Sequence, residues 1–198
     1  MSTPTTILDV VALVNALPKP VTLSCFLETL ARPLDLYATR GIVSAQPARG
    51  ERSPRLFLFS DPLILTIVPE GVGSHLLEMG ELQSETRSLK AELEFPVVSE
   101  ISEALPFEKV VFELDPEVSN CAFCHADEER VRVGNVDGFV SQALRPAPVE
   151  RVALARVLQE VPNCDPAAEP ERCAMLNAVF QHGEVRDRDF PAAMATFY

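Results

Sequence analysis

Apolar residues at Ile7, Val10, Val11, Val14 and Leu17 recur at the spacing of one helix face, and Pro18 and Pro20 close the pattern. From Val21 the period changes to two. Val21, Leu23, Cys25 and Leu27 alternate with mostly polar neighbours, then Leu34, Leu36 and Ala38 do the same. This predicts two strands joined near Ala31-Arg32-Pro33, with Cys25 as a buried thiol on the apolar side. A Gly-, Pro- and Arg-rich loop follows over 41–55. Leu56-Phe57-Leu58-Phe59 and Leu63 to Val68 are almost wholly apolar and are split by Asp61-Pro62, so they read as two strands buried on both faces. His75 to Leu82 gives a weaker strand pattern. Leu89, Ala91, Leu93 and Phe95 alternate with Lys90, Glu92 and Glu94, as in a strand with one face on the core and one on water. Val110, Phe112 and Leu114 give one more.

The pattern changes again after Asp115-Pro116. A short helix is expected over 137–144 and a second over 149–161, between Pro148 and Pro162. A third runs from Pro170 to His182, with Pro170 in its first turn and Gly183 past its end. Three regions result: an N-terminal segment 1–18 with a short helix, a β-sandwich over 19–115, and a cysteine-motif and helical region over 116–198. The expected class is α+β, an antiparallel β-sandwich followed by a small helical segment that carries the cysteine motif. No internal repeat points to a propeller or solenoid.

Composition narrows the partners. The 198 residues are 47% hydrophobic, enough for a packed core, and 17 basic against 29 acidic residues leave a net charge of -12. That charge repels phosphate backbones and anionic membrane surfaces, so no nucleic-acid partner is expected. No apolar run approaches the ~20 residues of a membrane-spanning helix. The opening residues show no basic start and no evident signal peptide. Five cysteines, four of them in close pairs, point to an oxidising compartment, hence a periplasmic or secreted protein. Gly71-Val72-Gly73-Ser74 before His75 is a turn rather than a nucleophile elbow, because no glycine stands two residues after Ser74. With no P-loop, dinucleotide fingerprint or paired-histidine zinc motif, nothing pairs a nucleophile with a base, and the chain does not read as an enzyme.

The chemically specific feature is Cys121-Ala122-Phe123-Cys124-His125. Two thiols two residues apart can each add to a porphyrin vinyl group, and the next histidine then lies under the ring as proximal iron ligand. The segment resembles the haem-attachment site of c-type cytochromes over these five residues. The resemblance implies a covalent haem held by Cys121 and Cys124 with His125 on the iron. It also implies a sixth ligand farther along, where Met175, Met194 and His182 stand. The function implied is electron transfer, or redox or gas sensing, with a redox partner protein.

Other readings of the same cysteines stay open. Cys121 and Cys124 with Cys164 and Cys173 make four thiols, a zinc set whose second pair is spaced too widely for a ribbon. A disulfide between Cys164 and Cys173, closing the proline-stiffened link between two helices, is the simpler account of that pair. If Cys121 and Cys124 are structural too, the chain is an exported binding or interaction module without a cofactor.

Overall fold

The computed structural model of the protein describes residues 1–197. Helix α1 (Ile7–Ala16) opens on a capping box between Thr6 and Asp9 and buries Ile7, Val10, Val11 and Val14, the residues of the predicted face. Helix α2 (Leu23–Glu28) replaces the first expected strand. Thr22 caps it by accepting from the Cys25 amide at 3.1 Å, and it buries Leu23, Phe26 and Leu27. Those positions are i, i+3 and i+4, and the alternation through Cys25 was a coincidence of a short amphipathic turn. Cys25 is consequently exposed, not buried.

The first half of the chain then lays down β1 (Leu34–Thr39), β2 (Arg55–Ser60), β3 (Leu63–Ile67), β4 (Leu76–Ser84) and β5 (Arg87–Glu94). These pair in sequence as an antiparallel meander. Asp61-Pro62 is the two-residue link between β2 and β3, as expected, and every residue of β3 is buried. The short helix α3 (Leu105–Glu108) leads into the ribbon of β6 (Val111–Phe112) and β7 (Asp115–Ser119). A 3-10 turn over Asn120–Phe123 carries the cysteine motif.

Next come β8 (Glu129–Val133) and β9 (Val136–Gln142), joined at Gly134, whose φ of 57° suits the tight turn. The residues expected as a helix over 137–144 thus lie mostly in β9. Gly138 within β9 lets Leu89 and Phe107 pack close, since a Cβ there would stand 2.9 Å from Leu89. The chain ends with β10 (Leu144–Pro146), β11 (Arg151–Val152), α4 (Leu154–Glu160), α5 (Pro170–Phe180), β12 (Val185–Asp187) and β13 (Ala195–Phe197).

The result is a mixed α+β fold dominated by one large, mostly antiparallel sheet of nine strands, in the order β11-β1-β2-β3-β4-β5-β9-β8 with β12 beside β1. The strand pairing gives one main sheet with two small two-stranded ribbons, rather than the two facing sheets expected of a sandwich. Strands from beyond residue 115 are built into that same sheet. One sheet face packs on α1, α2 and α5 through Leu36, Leu56, Leu58, Leu65, Leu93 and their neighbours. The opposite face carries a smaller cluster in which Phe190, from the segment after β12, meets Tyr37, Phe57 and Phe59 edge-on at ring distances of 5.0–5.1 Å. That second face is covered by irregular chain, and irregular cover leaves room for a cavity.

Candidate functional site

The pleat of β4 and β5 sends Leu77, Met79, Leu89, Ala91 and Leu93 to the helical side and Glu78, Gly80, Ser88, Lys90 and Glu92 to the other. Cross-strand register sets Glu78 beside Glu92 and Gly80 beside Lys90. The face expected to be wet is instead the floor of a cavity of about 520 Å³, whose lining includes Phe57, Phe190, Cys121, Cys124 and His125. From β5 to β2 the floor crosses three strand spacings, roughly 14 Å. The volume is that of a site for a sizeable small molecule.

The cysteine motif is seated by short-range geometry. Ser119 caps its 3-10 turn by accepting from the Cys121 amide at 3.1 Å, while Glu128 accepts from the Ser119 amide and hydroxyl. The amides of Cys124 and His125 both donate to the Cys121 carbonyl, at 3.1 and 2.9 Å. Asp127 takes a left-handed φ of 56°, which an aspartate tolerates, and the Ala126 carbonyl accepts from the Gln142 amide of β9. The motif is therefore stapled to the sheet beside β5 and β9.

His125 is held by its Nδ1, which lies 2.7 Å from the Gln142 carbonyl oxygen. A carbonyl only accepts, so the proton sits on Nδ1 and Nε2 keeps its lone pair. Lys90 approaches the same carbonyl at 3.2 Å and Ser88 Oγ at 2.8 Å, and its Nζ is 3.4 Å from His125 Nδ1. Burial, with the Lys90 charge second, pushes the His125 pKa down to about 4, so the imidazole is neutral at physiological pH. Burial lowers Lys90 to about 8 and raises Glu92 to about 7, the latter helped by the neighbouring Glu78 charge. Glu78 itself is paired with Arg55. Burial also pushes the Cys121 thiol up to about 11, which disfavours the thiolate that a redox dithiol needs.

The other predicted site residues lie elsewhere. Cys164 and Cys173 form the expected disulfide, at a Cα separation of 5.6 Å, between α4 and the first turn of α5. Those two sulfurs therefore cannot serve with Cys121 and Cys124 as zinc ligands. Among the described residues the one cluster of metal-type side chains is Cys164, Glu169 and Cys173, and it contains that disulfide. Cys121 and Cys124 are free thiols. Met175 is buried in the main core, and His182 is half exposed with Nε2 3.7 Å from Glu28. Neither lines the cavity, whereas Met194 does. Sequence reasoning missed Lys90, Glu92 and Gln142. Charges in an alternating strand signal a wet face whether the water is bulk solvent or a cavity, and a backbone carbonyl leaves no trace in residue type. No protein family, curated protein or solved structure matches this chain.

Proposed function

We propose that the chain is a monohaem c-type protein in which Cys121 and Cys124 attach the haem and His125 is the proximal ligand. One observation carries the reading. A neutral imidazole, fixed through Nδ1 and with its Nε2 lone pair available, stands beside two free thiols on the wall of a large cavity. Holding one ring nitrogen on a backbone carbonyl is how proteins orient a metal-binding histidine and raise its basicity. A haem bound there supplies one-electron chemistry. The chain's own residues do the rest: the Gln142 carbonyl fixes the ring, the Lys90 ammonium opposes a second proton on it, and Phe57 and Phe190 give the cavity an apolar part. Met194, which also lines the cavity, would be the further ligand this reading favours over Met175 and His182. The disulfide Cys164–Cys173 fits an oxidising compartment, so a periplasmic or secreted electron carrier or redox sensor is the role proposed.

The test is expression in a host with haem-attachment machinery, followed by a haem-stained gel, the Soret band and intact mass. Wild-type protein should gain one covalent haem, and Cys121→Ser with Cys124→Ser should abolish attachment. His125→Ala should keep the covalent link but shift the Soret band and the reduction potential, because the axial ligand dominates both. Protein matured under these conditions with neither visible absorbance nor added mass would overturn the proposal. The cavity's size favours a second reading, an exported binding module with structural cysteines and no cofactor. Under that reading the double serine variant does no more than lower stability.

A further inference from the structure

We propose that the β6–β7 ribbon and the turn that carries the cysteines form a docking surface for an electron-transfer protein whose contact face is apolar and ringed by lysine and arginine. This rests on the haem reading, because the surface surrounds the point where Cys124 reaches solvent.

The surface has an apolar centre. Phe123 is 74% exposed and Leu114 85% exposed, both far beyond what a packed side chain shows. The Phe123 ring stands edge-on to Phe112 at 5.3 Å, so the two rings form one apolar feature of the surface. An exposed, ordered aromatic at the centre of a patch is the type of residue on which interface energy concentrates.

The rim is acidic, and half of its carboxylates are without a side-chain partner among the described residues. From Val111 to Glu129 the chain carries Glu113, Asp115, Glu117, Asp127, Glu128 and Glu129 and no lysine or arginine. Glu117 is paired with Arg130, Glu129 with Arg87, and Glu128 is engaged by Ser119. Glu113, Asp115 and Asp127 are exposed and form no ion pair among the described residues. Other carboxylates are engaged by arginines, as in the Arg52, Arg156 and Arg172 contacts to Glu51, Glu160 and Glu169, while Glu85, Glu171 and Glu184 are exposed carboxylates on other parts of the surface. Unmatched carboxylates around an apolar tip select a cationic partner and repel a second copy of the same surface.

The probe is a lysine-rich c-type cytochrome titrated into the ¹⁵N-labelled full chain at low and high salt. Amide shifts should concentrate at 112–115 and 122–127, and affinity should fall roughly tenfold or more when salt screens the pair. The triple variant Glu113→Gln, Asp115→Asn, Asp127→Asn should weaken binding severalfold. Glu85→Gln, Glu171→Gln, Glu184→Gln removes the same charge from exposed positions elsewhere and should do much less. Leu114→Ser should weaken binding at both salt concentrations. Shifts on another face, equal effects of the two triple variants, or self-association that strengthens with salt would overturn the proposal. The Soret band of the same samples separates the two ideas: docking without haem removes the haem reading alone, and haem without docking removes this surface alone.

Discussion

Two side chains on β5, Lys90 and Glu92, show how a residue's surroundings override what its type suggests. Both are charged residues in an alternating strand, yet Lys90 is buried and Glu92 half-buried, on the floor of the cavity. Burial holds Glu92 near 7, above its ordinary value of 4.5. Between pH 4.5 and 7 the native state thus binds more proton than the unfolded chain, and stability falls as pH rises through that window. The penalty is fully present above pH 7. Glu92→Gln should remove it, raising stability at pH 8 by on the order of 1 kcal/mol after allowance for solvent screening, and flattening the fall between pH 4.5 and 7. Urea unfolding at pH 4.5 and pH 8 measures this, and a variant no more stable than wild type at pH 8 would refute it. His125 works in the opposite sense. Its pKa is depressed to about 4, so below pH 6.5 the unfolded chain takes up a proton that the native ring refuses, and stability declines as pH falls toward 4.

At the scale of the element, the hydrophobic pattern was a good guide over much of the chain. The predicted face of α1, the paired strands β2 and β3, the alternation of β5, and α5 from Pro170 are all present. Two segments misled, α2 and β9. The six residues of α2 fit a two-residue period as well as a helical one, and only the buried Phe26 distinguishes them. The residues of β9 became a strand because β5 and β8 offered partners on both sides, a tertiary choice that local pattern does not record. The motif at Cys121 was legible because its chemistry is covalent and contiguous, whereas the cavity it faces is assembled from positions more than a hundred residues apart. On β5, Leu93 is fully buried and should be the strand's anchor. Leu93→Ala is expected to destabilise by about 2–5 kcal/mol in denaturant unfolding, and a loss below about 1 kcal/mol would contradict its place in the core.

At the scale of the whole molecule, the sheet is pinned to its C-terminal helices by an ionic cluster that no sequence pattern announces. Arg172, in the first turns of α5, is almost wholly buried. It donates to Ser53 Oγ at 2.8 Å and to the Arg52 carbonyl at 2.7 Å, and it pairs with Glu160 of α4 at 3.0 Å and Glu169 at 2.9 Å. One guanidinium thus ties α4, α5 and the loop before β2 together, next to the Cys164–Cys173 disulfide that clips the same two helices. Reducing that disulfide should lower stability by ~3 kcal/mol or a little less, through the added entropy of the unfolded chain. The arginine acts differently. Arg172→Met removes the cation and leaves Glu160, itself buried, with only the partly exposed Arg52 and Arg156. Breaking one side of a buried ion pair costs about 3–5 kcal/mol, most of it the desolvation of the charge left behind. If that is the origin of the loss, neutralising the survivor should recover part of it. Arg172→Met with Glu160→Gln is therefore expected to be more stable than Arg172→Met alone. A double variant that is less stable than the single one would instead assign Arg172's role to its bonds with Ser53 and the Arg52 carbonyl.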